Sequence, residues 1–237
     1  MTYIEGFVAA VPAANKETYL RHARDAAPIF KEFGVTRHVE AWGDDVPDGK
    51  QTDLKRAVQA KPDEVVVFAW FEYPSKQARD AANAKMRTDP RMERMGESMP
   101  FDGSRMIYGG FATLVDERSQ GRAGYIDGVV IAAPAAAQDA YLGFAKTHAA
   151  LFREHGALRV LDAWGDDVPD GKQTDFKRAV QATAEEKVVF GWVEWPSKPA
   201  RDAAWAKLMS DPRMQGAKMP FDGSRMIFGG FAPILDS

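Results

Sequence analysis

The chain is written twice, and that repetition restricts its fold more than any other feature of the sequence. Tyr3-Ile4-Glu5-Gly6 returns as Tyr125-Ile126-Asp127-Gly128, and at the same offset of 122 the run from Ala41 to Asp53 recurs unchanged as Ala163 to Asp175. Asp89-Pro90-Arg91-Met92 is answered by Asp211-Pro212-Arg213-Met214. Beyond it the second copy is two residues shorter before Met219-Pro220-Phe221-Asp222-Gly223-Ser224-Arg225, a deletion suited to a loop. A unit of about 120 residues is too long for a solenoid module, whose repeats run roughly 20 to 50. The 237 residues therefore divide into two duplicated domains, 1–115 and 125–237, joined by the polar, glycine-containing linker 116–124.

Each copy reads strand, helix, strand, long loop, strand, helix, irregular segment, strand. Tyr3 to Val11 is strand-like and stops at Pro12. Asn15 is placed to cap a helix with Leu20, Ala23, Ala27 and Phe30 on one face, which Gly34 ends. Pro28 falls inside that helix and predicts a kink, whereas the second copy has Ala150 there and should be straighter. Val35–Trp42, Val65–Tyr73 and Arg105–Leu114 read as strands, and Ser75 caps a second helix that closes before Asp89-Pro90. The order βαββαβ is the ferredoxin-like unit, whose helices cover one sheet face only. Val65-Val66-Val67-Phe68-Ala69-Trp70-Phe71 is apolar on both alternating sets, so both faces of that strand must be buried. The expected fold is α+β, two ferredoxin-like domains packed sheet to sheet as a pseudo-twofold pair that forms an α+β barrel.

Several long motifs resemble the YbaA-like family of uncharacterised bacterial proteins: Trp-Gly-Asp-Asp-Val-Pro-Asp-Gly-Lys from Trp42 and Trp164, Asp-Pro-Arg-Met from Asp89 and Asp211, and Met-Pro-Phe-Asp-Gly-Ser-Arg-Met-Ile from Met99 and Met219. The likeness covers nearly the whole chain, once per copy. It implies single-copy domains that pair as homodimers in the dimeric α+β barrel class, so that this chain is such a dimer fused into one polypeptide. Relatives in that broad class include cofactor-free monooxygenases, isomerases and haem-binding proteins, an analogy of fold and not of site.

Composition closes most chemistry. There is no cysteine, which removes thiolate nucleophiles and cysteine-held metals. The four histidines, His22, His38, His148 and His155, align with Phe144, Val160, Ala26 and Phe33, so a site built identically in both copies has no imidazole. A net charge of -3 gives no footprint for nucleic acid. The N-terminal residues lack a secretory pattern and no apolar run approaches membrane-spanning length, so a cytoplasmic protein with no membrane partner is expected. No phosphate cradle follows a strand; Gly109-Gly110 predicts a bulge or a close backbone approach. The loop from Asp44 misses two calcium ligands, with Val46 and Lys55 where oxygens are required, and no metal or cofactor is expected.

What remains are charged and aromatic residues present in both copies. Glu5, Glu72, Asp127 and Glu194 are the candidate acid or base groups, since first and third strands are neighbours and Glu5 and Glu72 would share a face near a tryptophan. An ion pair with Arg37 or Arg105 at a strand end is the competing, favoured account. Tyr3, Arg37, Trp70, Arg105, Tyr125, Arg159, Trp192 and Arg225 are the candidate ligand contacts, with Arg91 and Arg213 exposed for an anion. The functional expectation is a small organic ligand in the barrel or at its mouth, with cofactor-independent chemistry. The alternative is a non-catalytic interaction protein that presents its paired loops outward, through Trp42, Asp44, Asp45, Asp48 and Lys50 and through Trp164, Asp166, Asp167, Asp170 and Lys172.

Overall fold

A computed structural model describes residues 2–237. The first copy contributes β1 (Tyr3–Pro12), α1 (Lys16–Phe33), β2 (Arg37–Asp45), α2 (Leu54–Ala57), β3 (Glu64–Tyr73), α3 (Lys76–Met86), α4 (Pro90–Glu97) and β4 (Ile107–Arg118). The second contributes β5 (Tyr125–Pro134), α5 (Gln138–Glu154), β6 (Arg159–Asp167), α6 (Phe176–Ala179), β7 (Glu186–Trp195), α7 (Lys198–Leu208), α8 (Pro212–Gln215) and β8 (Ile227–Asp236). Each copy has the strand order 4-1-3-2 of a ferredoxin-like sheet, and the two sheets join edge to edge into one closed antiparallel barrel, β1-β3-β2-β8-β5-β7-β6-β4. The seams are β2 with β8 and β4 with β6. Because β4 stays paired as far as Arg118 opposite Arg159, the connection between copies shortens to 119–124.

Alternation along the strands sends one set of side chains inward and the other toward the helices. The inward set fills the barrel. Phe68 and Phe190 stack with ring centres 4.5 Å apart, and Trp70 and Trp192 stack at 4.1 Å. Gly6 and Gly128 make this possible, since a Cβ on either would lie 2.8 to 2.9 Å from the Phe190 or Phe68 ring. One end is plugged by α2 and α6, short helices inside a segment that the sequence presents as one long loop. Leu54 and Phe176 are buried there, and Thr52 and Thr174 each donate to a carbonyl of the other copy, at Ala179 and Ala57. A ligand in the barrel interior is therefore not accommodated, because the space is taken by the protein's own aromatic side chains.

The local signals have mixed outcomes. Ser75 caps α3 by accepting from the Ala78 N–H. Asn15 stands at the start of α1 without a side-chain cap bond and donates instead to the Pro100 carbonyl. Helix α1 continues through Pro28 as one element. The second helix closes before Asp-Pro in both copies, at Met86 and Leu208, and Asp89 and Asp211 then start a further short helix, each accepting from an N–H two residues on. Gly110 meets both expectations for its position: a Cβ there would lie 2.5 Å from the Tyr3 hydroxyl, and the β4–β6 register shifts beside it.

Candidate functional site

Register settles where the candidate carboxylates go. Ile4 pairs with Glu72 and Glu5 with Phe71, so Glu5 and Glu72 lie on opposite faces of the sheet and cannot act together. Glu72 points inward. Its carboxylate accepts from Arg159 of the other copy at 3.1 Å and from the Trp70 indole at 3.2 Å, with Arg37 at 3.4 Å. Burial pushes its pKa up, but the bonds and charge of Arg159, with the charge of Arg37, hold it below the usual range. Glu194 mirrors it, accepting from Arg37 at 2.6 Å and from the Trp192 indole at 3.0 Å. Asp116 and Asp236 complete the cluster on Arg159 and Arg37. This set closes the second end of the barrel and ties the copies together.

The other sequence candidates are also spent on structure. Arg105 clamps Glu64 at 2.6 Å and Asp102 at 2.9 Å, and Arg225 does the same with Glu186 and Asp222. Arg91 and Arg213 are engaged by Asp89 and Glu32 and by Asp211 and Glu154. The loop acids face the other copy rather than outward. Asp44 accepts from Tyr125 and Lys198, Asp166 from Tyr3 and Lys76, while Arg201 meets Asp45 at 3.1 Å and Arg79 meets Asp167 at 2.7 Å. Asp48 and Asp170 pair locally with Lys55 and Lys177, and Lys50 and Lys172 are exposed. Trp42 and Trp164 are buried against Tyr19 and Tyr141.

Open space lies outside the barrel, between the outer sheet face and the helices, once per copy. The cavity of the second copy measures about 690 Å³ and that of the first about 460 Å³. The two-residue deletion explains part of the difference, since the covering helix shrinks from Pro90–Glu97 to Pro212–Gln215. Glu5 and Asp127 line these cavities; of the named ligand contacts only Trp192 borders one.

Each cavity floor carries two acids. In the second copy Asp127 accepts from the Trp195 and Trp205 indoles at 2.9 and 2.8 Å and from Arg201 at 2.8 Å, yet burial still raises its pKa. Asp162 is the less supported of the pair: its one side-chain donor is the Tyr141 hydroxyl at 3.1 Å, and burial pushes its pKa up to about 6. Gly191 makes room for it, because a Cβ there would sit 2.5 Å from Oδ1. Burial and the Asp162 charge push the Tyr141 hydroxyl well up, so it stays a donor. His148 shares the cavity; its Nδ1 donates to the Phe144 carbonyl at 2.9 Å, leaving Nε2 as the basic nitrogen, and burial lowers its pKa.

The first copy is built alike with different parts. Glu40 replaces Asp162, accepting from Tyr19 at 2.7 Å and facing His38 Nε2 at 2.8 Å, an imidazole whose counterpart is Val160. Glu5 replaces Asp127, with Asn83 donating at 2.8 Å, the Tyr73 hydroxyl at 3.3 Å and the Arg79 charge 3.6 Å away; burial raises its pKa all the same. For Glu40, Asp162, Tyr19 and Tyr141 the sequence carries one usable signal, an acid at matched positions of two otherwise apolar strands. No histidine of one copy aligns with a histidine of the other. His22 and His148 nevertheless reach the two cavities from the first helix of each copy, one turn apart in equivalent positions.

The description "Protein of unknown function (DUF1428)" fits residues 2–103 and again 124–223. The chain belongs to the DUF1428 family. The uncharacterised protein YbaA of Escherichia coli strain K12, and that of Shigella flexneri, are 62% identical over 117 residues, 100% of their length and 49% of this chain. Among solved structures, a "putative monooxygenase" of Fusobacterium nucleatum superposes with a TM-score of 0.62 at 11% identity, covering 99% of this chain and 93% of its own. One from Lactobacillus acidophilus gives 0.57 at 10%, covering 100% and 96%, and an anthrone oxidase-like protein gives 0.55 at 11%, covering 100% and 92%. At such identities the likeness is one of fold: this DUF1428 chain is a dimeric α+β barrel in a single polypeptide. Among its described residues no helix is long and apolar enough to cross a membrane.

Proposed function

We propose that each half binds a small, largely apolar, planar molecule between its helices and the outer sheet face, and that Asp162 serves there as a proton acceptor in chemistry needing no cofactor. The observation that carries this reading is the placement of methionine. Every methionine of the described chain lines one of the two cavities, including Met86, Met92 and Met99 in the first and Met209, Met214 and Met219 in the second. Methionine is flexible and polarisable, suited to gripping varied apolar and aromatic surfaces, and a core built only for packing would not reserve it for the walls of empty space. Asp162, with a pKa near working pH, suits removal of a weakly acidic proton from such a guest. The names of the structural neighbours, monooxygenases and an anthrone oxidase-like protein, accord with an aromatic guest by fold-level analogy. The competing reading of outward recognition loops draws no support from Asp44, Asp45, Asp166 and Asp167, whose carboxylates are occupied within the molecule.

The test is thermal stability against two- and three-ring hydroxyaromatics. At about a hundredfold excess over Kd a ligand stabilises by about 2.7 kcal/mol, which for a chain of this size raises Tm by roughly 5 to 10 °C. Ala217→Trp, which fills the second cavity from its covering loop, should remove that part of the shift. No stabilising compound, or an unchanged shift in the variant, would sink the proposal.

A further inference from the structure

The contacts that join the two copies are duplicated almost atom for atom. Tyr3 to Asp166 is matched by Tyr125 to Asp44, Arg79 to Asp167 by Arg201 to Asp45, and Arg37 to Glu194 by Arg159 to Glu72. The cavity walls are not duplicated. Arg87, Tyr108 and His22 of the first cavity align with Met209, Phe228 and Phe144 of the second; the imidazole is answered one turn on by His148, so the polar difference rests on Arg87 and Tyr108. Among the described residues none of these three polar side chains has a hydrogen bond or ion pair within the protein, whereas most other arginines singled out above are paired to a carboxylate. The acids on the first cavity's floor are already compensated, Glu5 by Arg79 and Asn83, Glu40 by Tyr19 and His38. Arg87 is thus an uncommitted positive charge at the wall of a methionine-lined space.

Resting on the reading that these cavities bind ligands, we infer that the two have specialised: the first takes an amphiphile with an anionic head, an aromatic or aliphatic carboxylate whose head meets the Arg87 guanidinium, and the second takes an uncharged apolar ring system. A guanidinium offers a carboxylate paired N–H donors. In the second cavity Met209 stands in place of Arg87, and the cation that lines it, Arg201, is already taken by Asp127 and Asp45, so the same head would lose its hydration without a free cation to replace it. A fused pair permits this divergence, which a homodimer of identical chains cannot express.

Because every described methionine borders one cavity or the other, methyl-labelled methionine reports which is filled. The full chain, labelled at the methionine methyls and assigned through single Met→Leu variants, is titrated with 2-naphthoate and with its neutral isostere 2-naphthamide. Naphthoate should shift the resonances of Met86, Met92, Met95, Met99 and Met106, and naphthamide those of Met209, Met214, Met219 and Met226. Arg87→Met should weaken naphthoate binding roughly tenfold or more while leaving naphthamide unchanged, as expected for loss of a charged hydrogen-bond partner. Both probes shifting the same set, or Arg87→Met leaving naphthoate affinity intact, overturns the specialisation and spares the cavities as binding sites. If neither probe moves any methionine resonance, the inference and the reading beneath it fall together.

Discussion

Asp162 is the residue at which the molecule gives up stability. A carboxyl whose folded-state pKa of about 6 lies above its ordinary 3.8 binds more protons folded than unfolded between those values. Its stabilising contribution is present in acid and lost as pH rises through about 6. At neutral pH the protein therefore holds a charge that burial disfavours, with only the Tyr141 hydroxyl to support it. Asp162→Asn keeps an acceptor for Tyr141 and removes the charge. It should be more stable than the parent by about 2 kcal/mol at about pH 7.5, a figure lowered for the solvent the cavity admits, with the advantage gone near pH 4. Urea unfolding at both values measures it, and a difference that does not change with pH would refute the assignment. Little of this was legible in the sequence. Glu5 and Asp127 were visible as paired acids, but which strand face meets a cavity depends on register, and Glu72 went to the opposite face for that reason. Arg105 and Arg225 looked like ligand contacts because two copies keep them, yet copies also keep clamps.

At the scale of elements, the first helix of each copy carries one poor helix former where the other copy has a better one. Pro28 of α1 faces Ala150 in α5, and Gly143 of α5 faces Arg21 in α1. A proline inside a helix removes a hydrogen bond and crowds the preceding turn, a penalty of about 3 kcal/mol offset in part by the stiffer unfolded chain. Gly143 is exposed, and a Cβ added there would meet nothing within 4 Å. Pro28→Ala should therefore stabilise by roughly 1 to 2 kcal/mol and Gly143→Ala by roughly 0.5 to 1. By contrast, Gly128→Ala places a methyl against the Phe68 ring and should destabilise by about 1 to 3 kcal/mol. Denaturant midpoints rank the three, and a stabilising Gly128→Ala would contradict the packing of the ring stack. Strand and helix order was readable because period and caps are local. The short helices α2 and α6 were not, since four residues carry no periodicity and their helical state follows from what they plug.

For the whole molecule the repeat made the architecture readable, because a doubly apolar third strand had to be covered and a second copy was at hand. The closure through β2–β8 and β4–β6 goes further: neither copy holds a complete barrel, and both contribute to the Phe68–Phe190 and Trp70–Trp192 stacks at its centre. The connection 119–124 then serves mainly to fix the local concentration of one half near the other, at about the millimolar level for a short linker. Cutting within it, at an introduced protease site, should leave the halves associated at micromolar concentration, held by two strand seams and the buried ion pairs of Arg159 with Glu72 and Arg37 with Glu194. The cut protein's Tm should then rise with concentration while that of the intact chain does not, since association has become bimolecular. Glu72→Ala removes one of the two carboxylates bonded to the buried Arg159 guanidinium and leaves Asp116, so the loss falls toward the lower end of the about 3 to 5 kcal/mol expected when a buried pair is broken. In the cut form it should lower the concentration-dependent stability and release the halves, as read by sedimentation; in the intact chain it should lower Tm without dissociation. Halves that separate on cutting alone would show that the linker, rather than the shared barrel, holds the molecule together.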